Sequence, residues 1–222
     1  MIDIQNLSKS FWTPRGPKHV ARDINAVFPS GVSVALLGRN GAGKSTLMEM
    51  IGGGMQPDAG TIRIKGTISW PVGFAGSFHA DLTGRQNTRF IARVYGVDTD
   101  DLTEFVEDFA ELDAHFELPV RKYSAGMKSR LAFGISIGIP FDTYLVDEVT
   151  SVGDAAFKRK SRLVFEERMK TAGAVVVSHS MTQVRQLCQT GAVLEDGNLT
   201  YYDDLDAAIA HHHRNMGTTK DS

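Results

Sequence analysis

LLGRNGAGKSTLMEMIGGG, residues 36–54, packs six glycines, a lysine and two hydroxyls into nineteen positions. GVSVALLG, residues 31–38, leads into it as a β-branched apolar run long enough for a buried strand. From Lys44 the pattern turns helical, with Leu47, Met50 and Ile51 at helix spacing. Residues 38–45 fit GxxxxGK(S/T), and the strand before and helix after are the context that motif demands. Glycines let successive backbone N–H groups point into one concavity, and the helix N-terminus adds positive potential. Lys44 can reach β- and γ-phosphates, and Ser45 can offer its hydroxyl to Mg²⁺. A plain glycine turn at a sheet edge has no need of Lys-Ser at this spacing, so the stretch reads as a loop that holds a nucleoside triphosphate.

The rest of the composition frames that loop. The chain has 222 residues, 42% hydrophobic and 23% charged, enough for one sizeable core or one core with a small attached subdomain. A formal net charge of -2 gives no basic excess, so binding to nucleic acid is not expected. The single cysteine, Cys188, excludes an internal disulfide framework and fits a reducing compartment as a small buried apolar group. MIDIQNLSKSF lacks the pattern of a signal peptide, and no apolar run approaches the roughly 18 residues of a membrane span. A membrane role must therefore be played through a partner.

MIDIQNL alternates like a half-buried strand, while TYLVDE and GAVVVSHS are short continuous apolar runs of the kind found in parallel sheets covered on both faces. Each of the latter two precedes a helical pattern, which makes the core α/β. From about residue 83 to 139 the pattern is helical almost throughout. There Thr83 and Gln86 are spaced as a capping box, and Gly96 is placed to end the same helix. Leu102, Phe105, Val106, Phe109 and Leu112 share a face of the next segment, and the acids between residues 98 and 117 are its wet side. The expected organisation is one domain over residues 1–216, with a helical subdomain at about 83–139 inserted in the α/β core, and a disordered tail at 217–222. HHHR, residues 211–214, reads as an exposed polar helix, because three consecutive histidines on a helix point in different directions.

Three further stretches bear on the nucleotide. TYLVDEVTSVGD ends an apolar strand in Asp147, placed to hold a Mg²⁺ shell, and Glu148, placed to orient or deprotonate a water. VVVSHS leaves His179 just past a strand, where a neutral imidazole can contact the γ-phosphate. YSAGMKSRLAF sets Ser124 and Gly126 at the start of what reads as an amphipathic helix, so a hydroxyl, backbone N–H groups and the helix dipole face an anion. One nucleotide does not need two cradles from one chain. The simplest geometry is a head-to-tail pair, each ATP sandwiched between one subunit's glycine loop and the other's helix start.

At these residues the sequence resembles the ATP-binding cassette (ABC) family over nearly its whole length. GRNGAGKST resembles its Walker A, YSAGMKSR its signature motif, YLVDE its Walker B, DEVTSVGD its Walker B with D-loop, and SHS its His switch. More narrowly, FDTYLVDEVTSVGDAAFKRK, ISWPVGFAGSF and YSAGMKSRLAFGISI are similar to the ATP-binding subunits of capsular polysaccharide exporters in Gram-negative bacteria, with O-antigen and teichoic acid export ATPases as relatives.

The resemblance implies a P-loop NTPase (RecA-like) core with a mostly parallel sheet, N-terminal antiparallel β elements and the inserted helical subdomain. It implies that Gly38, Asn40, Gly41, Ala42, Gly43, Lys44, Ser45 and Thr46 cradle phosphates and Mg²⁺, with Asp147 in the metal's outer shell, Glu148 as catalytic base and His179 at the γ-phosphate. Ser124, Ala125 and Gly126 would complete the site across the dimer, and Asp154 would connect the two sites. An aromatic near the first strand usually stacks on adenine: Phe11 falls there, with adjacent Trp12 and plain core packing of Phe11 as alternatives. Ala125 and Met127 replace a glycine and a glutamine of the family's LSGGQ, as is typical of the polysaccharide-exporting branch. His79 stands where relatives tend to carry the Q-loop glutamine that ligates Mg²⁺, and Gln86 is accounted for by its cap. A histidine in that role would make coupling pH-sensitive. The implied function is ATP hydrolysis for an exporter of surface polysaccharide, with the protein bound peripherally to a membrane-spanning permease at the cytoplasmic face of a bacterial inner membrane. The alternative is an ABC-type ATPase uncoupled from transport and associated with nucleic acid or ribosomes.

Overall fold

The computed structural model describes residues 1–14, 16–73, 76, 78–147 and 154–217. Its contacts divide the chain into two units, Met1–Ser69 with Asp142–Glu148 and Thr171–Ser222, and Trp70–Phe141 with Val149–Lys170.

The first unit holds two sheets. β1 (Ile2–Thr13) pairs antiparallel with β2 (Gly16–Phe28) on one side and β4 (Ala59–Ile64) on the other. The alternation of Ile2 and Ile4 inward is interrupted by a register shift before Leu7, beside Asn6 at φ 51°, and Leu7 is buried as a result. The second sheet runs β5–β6–β7–β3–β8–β9: β5 (Ile68–Pro71), β6 (Thr143–Asp147), β7 (Gly173–Val177), β3 (Ser33–Leu37), β8 (Thr190–Glu195) and β9 (Asn198–Tyr202). β6, β7, β3 and β8 are parallel neighbours, and β9 returns antiparallel to β8. Every residue of β3 and β7 is buried, as continuous apolar runs require in a sheet covered on both faces.

α1 (Lys44–Ile51) buries Leu47, Met48, Met50 and Ile51. These pack with Ile2, Ile4 and Phe28 of the antiparallel sheet and Leu36, Leu145 and Val175 of the parallel one, so one apolar core joins the two sheets. α6 (Met181–Leu187), capped by Ser180, and α7 (Leu205–Asn215), capped by Asp204, complete this unit.

The second unit is helical and extends beyond residues 83–139. α2 (Gly84–Tyr95) opens with the expected capping box, Gln86 N–H donating to Thr83 Oγ1 at 3.1 Å and Thr83 N–H to Gln86 Oε1 at 3.0 Å, and ends at Gly96 with φ 67°. α3 (Thr99–Ala110) buries Leu102, Val106 and Phe109, with Phe105 part-buried. α4 (Ala125–Gly138) departs from expectation. It is not amphipathic, because all seven residues from Leu131 to Ile137 are buried. Its glycines explain the fit, since a Cβ on Gly138 would stand 2.6 Å from Leu102 Cδ1. α5 (Ala155–Met169) joins this unit, its Phe157 meeting Phe109 edge-on at 5.2 Å while Phe109 stacks on Phe133 at 5.7 Å. Among the described residues no helix is long and apolar enough to cross a membrane.

Candidate functional site

The carboxyl ends of β3, β6 and β7 define where chemistry can occur in the first unit, since ligands of open α/β sheets bind beyond the carboxyl ends of the strands. Asp147 pairs with Val177 across β6 and β7, so the acid and the SHS segment leave the sheet side by side. The glycine loop leaves the neighbouring strand β3.

The loop's backbone accounts for its glycines. Gly38 has φ 154°, and a Cβ there would lie 2.4 Å from the Leu194 carbonyl of β8. Gly43, at φ 108°, caps α1 in a left-handed conformation, and a Cβ there would meet Val20 of β2 at 2.8 Å. The turn is closed by Ala42 N–H donating to Arg39 carbonyl at 3.1 Å. Lys44 Nζ donates to the carbonyls of Gly38 at 2.7 Å and Arg39 at 3.1 Å, which holds its charge at the loop. Arg39 ties the loop to the C-terminal helix, pairing with Glu195 at 3.5 Å and donating to the Asn215 carbonyl.

Beside this loop lies a cavity of about 720 Å³. Asn40, Gly41, Gly43, Lys44, Ser45 and Thr46 line one side, Asp147, Val177 and His179 another, and Phe11, Lys18 and Val20 of the β1–β2 hairpin the third. Ser45 Oγ donates to Asp147 Oδ2 at 3.4 Å. A hydroxyl and a carboxylate so placed are hard oxygen donors, and Mg²⁺ takes one or two such protein ligands and completes its octahedron with water and phosphate. The donor set fits that ion.

Phe11 lines the cavity and Trp12 does not. Trp12 is 87% exposed, whereas Phe11 has Lys9 Nζ 5.6 Å from its ring centre. Lys9 is itself fixed by Asp58 at 2.7 Å and the Gln56 carbonyl at 2.9 Å. The Lys9 ammonium and the Ser10 N–H on Asp58 hold that carboxyl below its ordinary range. Glu148 lies outside the described residues.

The remaining site residues belong to the helical unit. Ser124 caps α4, its hydroxyl accepting from Met127 N–H at 3.2 Å, and Ser124, Ala125 and Gly126 are exposed. Asp154 caps α5, accepting from Phe157 N–H at 2.9 Å and from Arg130 at 2.9 Å. Those partners, the Phe157 N–H foremost, hold its carboxyl below the usual range. His79 Nδ1 accepts from Asp81 N–H at 3.3 Å. The segment around it is organised by buried Asn87, which accepts from His79 N–H at 2.9 Å and donates to the carbonyls of His79, Leu82 and Thr83. Asn87 escaped the sequence reading. So did Lys18 and Val20, for which the signal was available: a hairpin folding back at Gly16 sets Lys18 opposite Phe11.

Outside the site, Cys188 is buried, and burial pushes its thiol up to about 12. His211 Nδ1 meets the Tyr202 hydroxyl at 2.9 Å, and among the described residues no group of three metal-ligating side chains forms, at this helix or elsewhere.

The profile of the ABC transporter family matches residues 21–151. The chain is 49% identical to a polysialic acid transport ATP-binding protein, KpsT, of Escherichia coli, over 94% of this chain and 95% of that one. It is 42% identical to the capsule polysaccharide export ATP-binding protein CtrD of Neisseria meningitidis serogroup B, over 96% and 98%. Among solved structures, the ATP-binding cassette MJ0796, in a dimeric post-hydrolysis state bound to ADP and Pi, superposes with a TM-score of 0.75 at 20% identity, covering 92% of this chain and 99% of that one. With a strand, glycine loop and helix meeting Asp147 and His179 beyond the carboxyl ends of the parallel strands, and with these matches along nearly the whole chain, the chain belongs to the ABC transporter family as one of its ATPases.

Proposed function

We propose that this chain hydrolyses ATP to drive export of a capsular-type polysaccharide through a separate membrane-spanning permease, bound peripherally at the cytoplasmic face of a bacterial inner membrane. What supports the reading is identity of 49% and 42%, over nearly the whole chain, to proteins named for polysialic acid transport and capsule polysaccharide export, joined to a cavity lined by the glycine loop, Lys44, Ser45, Asp147 and His179. One domain over residues 1–216 performs it.

Phe11 stacks on the adenine, while the loop from Gly38 to Thr46 offers backbone N–H groups and the Lys44 ammonium to the phosphates. Ser45 and Asp147 hold Mg²⁺, with His79 as a further candidate ligand. When bound, the ion neutralises charge on the β- and γ-phosphate oxygens. Glu148 orients a water in line with the γ-phosphorus and accepts its proton as the new P–O bond forms and the bond to ADP breaks. His179 holds the γ-phosphate. The start of α4 in a second copy, Ser124, Ala125 and Gly126, closes the site, and Asp154 connects the two sites of the head-to-tail dimer. Closure and reopening pass to the permease through residues 78–93.

The test is crosslinking in native membranes under Mg-ATP, followed by purification and mass spectrometry. A multi-span permease recovered with polysaccharide-assembly enzymes is the expected result. Recovery of only soluble or nucleic-acid partners would leave the ATPase standing and remove transport.

A further inference from the structure

The cavity contains a cation that the motifs do not include. Lys18 sits on β2 directly opposite Phe11 on β1. Directly opposed residues of an antiparallel pair project from the same face, so the ammonium and the ring enter the cavity together. Lys18 Nζ reaches across to the glycine loop and donates to the Gly41 carbonyl at 2.7 Å. That bond uses one of its three donors and none of its charge, and among the described residues no carboxylate pairs with it. The ammonium therefore rests on the glycine loop, carried there by a strand whose partner brings Phe11 into the same cavity. Lys44 approaches the same loop from elsewhere, on the carbonyls of Gly38 and Arg39.

We propose that Lys18 is a nucleotide-binding residue, which reads the phosphate chain near its sugar end and braces the base-stacking hairpin against the glycine loop. The inference rests on the cavity being the ATP site. A cation at the sugar end meets phosphates common to ATP and ADP, whereas Lys44 at the start of α1 belongs to the β- and γ-phosphates. Lys18 thus sets affinity for the nucleotide without distinguishing substrate from product.

The experiment is direct titration of the intact chain with Mg-ATP and with Mg-ADP, by calorimetry, for wild type, Lys18→Met, Lys18→Gln and Lys18→Arg, with melting temperatures measured alongside. Loss of one charge-assisted contact at an exposed position predicts that Lys18→Met and Lys18→Gln weaken both nucleotides by about ten-fold, and that Lys18→Arg restores most of the loss. Wild-type affinity in both neutral variants overturns the proposal. So does weakening of ATP alone, which would move Lys18 to the γ-phosphate, and so does a lowered melting temperature with unchanged affinity, which would make it a structural tether. Wild-type protein that binds neither nucleotide would instead remove the reading of the cavity itself.

Discussion

At the scale of single residues, charge and burial decide what each group can do. The Lys44 ammonium is held on loop carbonyls at 2.7 and 3.1 Å, so Lys44→Ala removes a cation already in place rather than one that must be recruited. Equilibrium titration is expected to show at least about a 100-fold loss of ATP affinity, larger than any Lys18 variant gives. Glu148→Gln keeps the size of the side chain and removes its basicity, so nucleotide should bind at wild-type strength while single-turnover hydrolysis falls by at least about 100-fold. Hydrolysis at the wild-type rate would return the role of base to another group. Cys188 and Tyr123 act through their protons. Burial raises the first from 9.0 to about 12 and the second from 10.0 to about 12. Both stay protonated in the folded chain where the unfolded chain would ionise. Their stabilising contribution is therefore present in full below about pH 9 and is lost as pH rises towards 12. Urea midpoints should fall across that window, and less steeply for Cys188→Ala.

At the scale of elements, the local signals that mattered were caps and glycines. The Thr83–Gln86 box and Gly96 could be read without a structure because each satisfies backbone groups within a few residues of itself. Gly38 could not be understood that way. Its necessity comes from Leu194, 156 residues later, whose carbonyl occupies the place of a Cβ. Gly38→Ala should destabilise the chain by roughly 2 kcal/mol or more in denaturant melts, since both the neighbouring carbonyl and φ of 154° oppose it. Ser124→Ala, by contrast, loses one cap bond on an exposed turn and should cost about 1 kcal/mol. The two values separate a backbone that cannot move from a helix end that can fray. β9 was legible in principle: Asp196 and Gly197 both have positive φ, and an Asp-Gly turn between apolar runs is a hairpin signal. The buried character of α4 was not, because its Lys128 and Arg130 suggest a wet face that the second half of the helix lacks.

At the scale of the whole molecule, the proposed cycle needs two copies. Glu148→Gln in Mg-ATP should elute from size exclusion at close to twice the 24.2 kDa of one chain, and wild type in Mg-ADP at one. A single mass in both conditions would remove the head-to-tail pair.

The order of motifs, the α/β class and the strand, glycine loop and helix unit were determined by the sequence alone. Each is a pattern of neighbours: a β-branched run, glycines at fixed spacing, Lys-Ser at a helix start. What only the tertiary structure decided was company. It chose Phe11 over Trp12 for the cavity, brought Asp147 within 3.4 Å of Ser45, set Lys18 against Gly41, and buried the second half of α4 on every face. Those outcomes depend on which strands lie side by side and in what register, and register is fixed by packing across the sheet rather than by any one segment's own preference.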